Sequence, residues 1–135
     1  MSITEDGLIG EKLARLILKE RFKVVGIFQA DWIVNKNNIY YLVEVKYKEL
    51  FTPPPFTGQG LDIRQVKARI KFYKDTGIRC IFLTISKPDC IAYWQWLDVL
   101  ENTKYLDTKN NIRIYNIENF VKLSGVNKWL KRITG

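Results

Sequence analysis

An α/β fold, with a mixed central sheet covered by helices on both faces, is the architecture this sequence predicts. Three observations carry it. Apolar residues recur at helical spacing near the N-terminus and again over about 62–76. Between those stretches lie three segments of strand character, at 23–28, 30–34 and 39–48. After the second helical stretch comes RCIFLTI (79–85), a short continuous apolar run of the kind that marks a strand buried on both faces. Helix, strands, helix, buried strand is the order of a layered α/β domain.

Taken in order, residues 3–22 read as a helix. Ser2 and Glu5 have the spacing of a capping box, and Ile9, Leu13 and Leu16 share one face with Ile17 beside them. KVVGIF (23–28) and ADWIV (30–34) read as strands, NKNN (35–38) as a turn, and IYYLVEVKYK (39–48) as the third strand. FTPPPFTGQG (51–60) reads as a loop, because its prolines exclude helix and central strand. The second helix, 62–76, stops near Gly77 and places Ile63, Val66, Ile70 and Tyr73 on its core stripe. Beyond 79–85, CIAYWQW (90–96) reads as a strand, 97–105 as a short helix, 112–117 as a strand and 118–133 as broken helix. The expected order is αβββαβ plus a short α/β C-terminal extension, in one domain spanning 1–135.

Composition narrows the function. Hydrophobic residues at 47% are enough for a core, and no apolar run is long enough to cross a bilayer. The acidic start MSITEDGLIG lacks a secretory pattern, which with two cysteines, Cys80 and Cys90, in apolar surroundings predicts a reduced, cytoplasmic protein. Lys plus Arg number 22 against 14 Asp plus Glu, a net charge of +8 that suits a polyanion or simply a solvated basic surface. Histidine is absent, which removes imidazole bases, Ser-His-Asp and Cys-His chemistry and His-ligated zinc. Hydrolysis by this chain would have to use carboxylates, lysine and a hard, oxygen-seeking cation.

The third strand holds the residues for that chemistry. Alternation puts Tyr41, Val43, Val45 and Tyr47 on one face and Leu42, Glu44, Lys46 and Lys48 on the other. Buried charge needs a partner or a metal, so the Glu44 face is either solvated or a site. A two-residue turn at 36–37 would make Asp31 the diagonal neighbour of Glu44, roughly 7–8 Å away. A turn at 37–38 would set Asp31 directly opposite Glu44, whereas a three-residue turn would set it opposite Val43, on the wrong face. Adjacent carboxylates repel unless a cation such as Mg²⁺ lies between them, and Lys46 on the same face can steady an attacking hydroxide. The bland alternative is a cross-strand ion pair on a wet face, with Asp31 a polar residue at a strand edge.

Asp31 followed thirteen positions later by EVK (44–46), on neighbouring strands after a first helix, resembles the PD-(D/E)XK nuclease superfamily, over about residues 5–86. The resemblance implies a restriction-endonuclease-like core. It implies that Asp31, Glu44 and the Val45 carbonyl ligate Mg²⁺, with Mn²⁺ able to substitute, and that Lys46 assists the nucleophile. It further implies that Glu11, on the first helix, supports the metal site and that Gln65, on the second, touches substrate near the scissile phosphate. Glu11 also fits an ion pair with Arg15 one turn later, and Gln65 fits an exposed helix position. Ala30 stands where the superfamily commonly has Pro, and Arg69 stands where RecB-like members have Tyr.

The second helix also carries Arg64, Lys67, Lys71 and Lys74 in a row beside its core stripe, with Gln65 and Arg69 flanking the other side. These five cations are the expected nucleic-acid contacts, and a solvated helix face is the alternative for the row. The expected function is Mg²⁺-dependent hydrolysis of phosphodiester bonds in DNA, with the small size resembling junction-resolving and phage-type nucleases. Junction cutting needs paired sites and hence a homodimer. Two other readings stay open: a non-catalytic DNA-binding module of the same fold, and a basic protein-interaction domain.

Overall fold

The structure, a computed structural model, describes residues 10, 12–14, 16, 17, 23–28 and 31–123. Of the helix expected over 3–22, the described residues 10, 12–14, 16 and 17 are helical, and they constitute α1 here. Then follow β1 (Lys23–Phe28), β2 (Asp31–Lys36), β3 (Ile39–Glu49), β4 (Gly58–Asp62), α2 (Ile63–Thr76), β5 (Cys80–Lys87), β6 (Ala92–Trp96), α3 (Leu97–Glu101), β7 (Tyr105–Asp107), β8 (Ile112–Asn116), a 3₁₀ turn (Ile117–Asn119) and β9 (Val121–Leu123).

Six strands form the main sheet in the order β1-β2-β3-β5-β6-β9, and three form a smaller one, β4-β8-β7. The main sheet is mixed: β3 and β5 run parallel at its centre, and the remaining pairs are antiparallel. The parallel step requires a crossover, which β4 and α2 supply. Helix α2 starts where the Asp62 side chain accepts a hydrogen bond from the Arg64 amide at 2.8 Å. It ends at Gly77, whose φ of 79° lets its amide reach back to the Tyr73 carbonyl at 2.7 Å.

Each face of the main sheet has its own core. On one, Leu13, Ala14 and Ile17 of α1 cover Trp32, Val34, Val43, Ile81, Leu83 and Ile85. On the other, Val66 of α2 and Leu97 and Leu100 of α3 cover Leu42, Cys80 and Phe82, and Leu61 and Tyr115 of the small sheet close the layer. Helices therefore lie on both faces, as the sequence predicts. Cys80 and Cys90 are buried and free of disulfides.

Several expectations need correction. Only 51–57 of the stretch 51–60 is loop, because Gly58, Gln59 and Gly60 begin β4 and pair with β8. The helix expected over 97–105 stops at Glu101, and the chain turns into β7. Within 118–133, the described residues form the end of a 3₁₀ turn and then β9, which pairs with β6. On α2 the buried positions are Val66 and Arg69, so the stripe facing the sheet includes an arginine that a purely apolar pattern misses. Ser2, Glu5, Glu11, Arg15, Ala30 and Trp129 lie outside the described residues.

Candidate functional site

The hairpin decides the register. Asn37 and Asn38 have φ of 54° and 65°, left-handed values that asparagine tolerates, and they form a two-residue turn. Trp32 then faces Val43, Ile33 faces Leu42 and Val34 faces Tyr41. One step further along the same register, position 31 stands opposite Glu44. This is one of the two even registers on which the sequence argument depends.

Strand β3 lies between β2 and β5, so its centre is covered on both edges. The parallel ladder sets Glu44 beside Phe82, Lys46 beside Thr84 and Lys48 beside Ser86. Leu42 and Phe82 belong to the core under α2, and alternation puts Glu44, Lys46 and Lys48 on that same face. Glu44 is 2% exposed. Its counter-charge is Arg69, which projects from α2 with Nε donating to Glu44 Oε1 at 2.7 Å. Both side chains are enclosed, at 8% and 3% exposure. Arg69, expected among the nucleic-acid contacts, thus faces inward, because a buried carboxylate needs a cation and α2 places one there.

Lys46 and Lys48 emerge from the same strand face into an open cleft of about 470 Å³ lined also by Gly60, Asp62, Arg64, Gln65 and Ile112. Lys46 and Gln65, joined only by expectation in the sequence, line one cleft. Lys48 is held below the ordinary lysine range by burial and, secondarily, by the neighbouring Lys46 charge. Gln59, buried in β4, donates from Nε2 to the Lys48 carbonyl at 3.0 Å and ties the small sheet to this strand. Sequence reasoning named neither Gln59 nor Lys48 as a site residue. Lys48 was visible through its spacing from Lys46, whereas Gln59 was hidden in a presumed loop.

The row on α2 is exposed at Arg64, Lys67, Lys71 and Lys74. It is not free of carboxylates, since Lys71 pairs with Asp75 at 2.5 Å and Arg64 lies 3.6 Å from Asp62. Trp94 and Trp96 pack against the core under α1, and Arg79 stacks on Trp96 at 4.1 Å, which accounts for these rings structurally. On that face lies a mostly apolar hollow of about 370 Å³, lined by Tyr41, Ile81, Leu83, Trp94 and Trp96 among others, with Lys36 and Asn37 as its polar members among the described residues.

Whether these residues fit a hard cation can be asked of the donors. Among the described residues, no group of three or more His, Cys, Asp or Glu gathers as a metal cage. Glu44 is nevertheless a buried oxygen donor opposite position 31. The Thr84 hydroxyl, buried beside Lys46, has no hydrogen-bond partner among the described residues. A buried carboxylate and an orphaned hydroxyl on one patch suit a hydrated dication in kind.

This arrangement, a mixed sheet with helices on both faces and Glu44 and Lys46 on its central strand, is a restriction-endonuclease-like fold. The chain is similar in fold to Hjc, a Holliday junction resolvase of the archaeal hyperthermophile Archaeoglobus fulgidus, with a TM-score of 0.53 and 16% identity over 89% of this chain and 94% of that one. No protein-family model matches the chain, and no curated protein does.

Proposed function

We propose that this chain is a metal-dependent nuclease that hydrolyses phosphodiester bonds in DNA, with branched junctions as its preferred substrate. The observation that carries the proposal is Glu44 buried at the centre of the sheet with Lys46 two residues on, opening into a cleft. The likeness to a Holliday junction resolvase supports the choice of nuclease and of junctions. The net charge of +8 supports a polyanionic substrate.

Asp31, Glu44 and the Val45 carbonyl are the residues that would hold the cation, Mg²⁺ or Mn²⁺. When bound, such an ion polarises the phosphate and lowers the pKa of attacking water. Lys46 offers its ammonium to charge developing on the phosphate oxygens. Gln65, on the rim of the same cleft, orients the phosphate with its amide, and Glu11 supports the metal site. Arg64, Lys67, Lys71 and Lys74 follow the backbone without reading sequence. Two copies would set two sites on the two halves of a junction.

A second reading has one observation in its favour. With Arg69 on Glu44, the buried carboxylate is balanced without any metal, as a DNA-binding module lacking catalysis would need. The test is cleavage of a four-way junction, linear duplex, single strands and RNA, with Mg²⁺, Mn²⁺ or chelator. Metal-dependent cutting of the junction is expected, reduced at least about 100-fold in Glu44→Gln and in Lys46→Ala. Binding that is steeply salt-dependent, with no substrate cut under any condition, would favour the module.

A further inference from the structure

The proposal concerns Arg69 and rests on the metal-dependent reading above. Glu44 lies in the protein interior, where an uncompensated carboxylate is strongly disfavoured. Its compensation is already built in. Arg69 is on the sheet-facing side of α2, one turn after Gln65, and its Nε meets Glu44 Oε1 at 2.7 Å with both side chains almost fully enclosed. The other cations of the same helix, Arg64, Lys67, Lys71 and Lys74, are exposed. Arg69 is thus set apart from the row by burial and by its contact with Glu44 of β3.

A guanidinium bonded to a carboxylate and a dication seeking that carboxylate compete for the same negative charge. Even if the two share Glu44 through different oxygens, their positive charges are a few ångström apart in a poorly screened site. We propose that Arg69 is an internal counter-ion that competes with the divalent cation for Glu44. It balances the Glu44 carboxylate when no cation is present, and it keeps cation affinity low in the free protein. Arg69 is in this sense a positioning residue, acting on Glu44 and through it on the cation.

The test measures Mn²⁺ uptake by the whole chain without nucleic acid, by calorimetry, and the melting temperature with and without Mn²⁺. The variants are Arg69→Gln and Glu44→Gln. Arg69→Gln is expected to bind Mn²⁺ at least about tenfold more tightly than wild type, a modest share of what a unit charge exerts on a nearby dication. Mn²⁺ should also raise its melting temperature more than that of wild type. Equal or weaker binding in a folded Arg69→Gln protein overturns the proposal. If Arg69→Gln is unfolded alone, folding on addition of Mn²⁺ supports the proposal, because the cation then stands in for the lost charge, and failure to fold with Mn²⁺ overturns it. Equal uptake by wild type and Arg69→Gln, lost in Glu44→Gln, removes the Arg69 assignment but leaves the metal site. No uptake by either protein removes both.

Discussion

Lys48 is held in its protonated form against its surroundings: burial and the Lys46 charge both push its pKa below the ordinary 10.5. The sign of the consequence follows from linkage. A lysine whose folded-state pKa is depressed disfavours the fold while protonated. That penalty is complete below the folded pKa and disappears as pH rises from there to 10.5. Lys48→Gln should therefore be more stable than wild type at neutral pH, with the difference closing on the alkaline side, as read by urea denaturation across pH. The same variant should bind DNA more weakly, with a salt slope smaller by about one phosphate contact. A residue that disfavours the free protein while favouring the complex is the signature of a binding group, and a Lys48→Gln protein with unchanged DNA affinity would exclude it from the interface. Glu44 and Lys46 were legible because strand alternation alone separates them from Val43 and Val45. Arg69 was not: in a helix with four other basic residues, nothing local distinguishes the one cation that turns inward to a partner 25 residues earlier.

At the scale of elements, contact between α1 and β3 rests on Gly10. A Cβ at that position would overlap the Cβ of Tyr47, an atom fixed by the strand backbone. Helix propensity and packing make opposite demands here. In an unhindered helix, Gly→Ala gains roughly 0.5–1 kcal/mol. In a filled contact, an added methyl costs about 1–3 kcal/mol. Gly10→Ala should thus destabilise the fold, visible as a lower urea midpoint with an unchanged slope, and a rise in the midpoint would mean α1 does not approach β3 this closely. The elements legible in the sequence were those with a strong period: β3 by alternation, α2 by its stripe and Gly77, and β5 by its continuous apolar run. Those missed were decided by distant partners. Gly58 looks like loop punctuation, yet β4 needs glycine because the Tyr115 backbone carbonyl of β8 occupies the space a side chain would take. VKL (121–123) lies in a stretch with helical spacing, and becomes β9 because β6 offers it an open edge.

At the scale of the whole molecule, one arginine adds an ionic link between the small sheet and α3 to the Gln59 bond and the shared core. Arg113 on β8 is 9% exposed. Its Nε and Nη2 donate to Asp107 at 2.9 and 3.1 Å, and its Nη1 donates to Glu101 at 2.7 Å. The other Glu101 oxygen accepts from the Tyr115 hydroxyl at 2.8 Å, and Tyr115 is buried in the core beneath α2. That core also contains Leu42 and Phe82, neighbours of Glu44 along and across the central strands. Strain at Arg113 therefore reaches the sheet that carries the site. Removing it leaves Glu101 and Asp107 without their cation, and Arg113→Met should cost about 3 kcal/mol, at the low end for buried pairs because Asp107 is partly in water. Since β3 and β5 contribute to both cores, the loss should be cooperative. Emission from Trp32, Trp94 and Trp96, in the opposite core, should shift to lower denaturant together with the far-ultraviolet dichroism. Acid should reveal the same linkage. The hydrogen bonds from Arg113 hold the Asp107 carboxyl below its ordinary 3.8, so this stabilisation is present above that value and is lost as pH falls through the lower folded one. Wild type should lose stability more steeply than Arg113→Met on the acid side of 3.8. Parallel acid limbs, or tryptophan emission that stays native while dichroism is lost, would mean that the small sheet is an appendage and not part of the unit that presents Glu44 and Lys46.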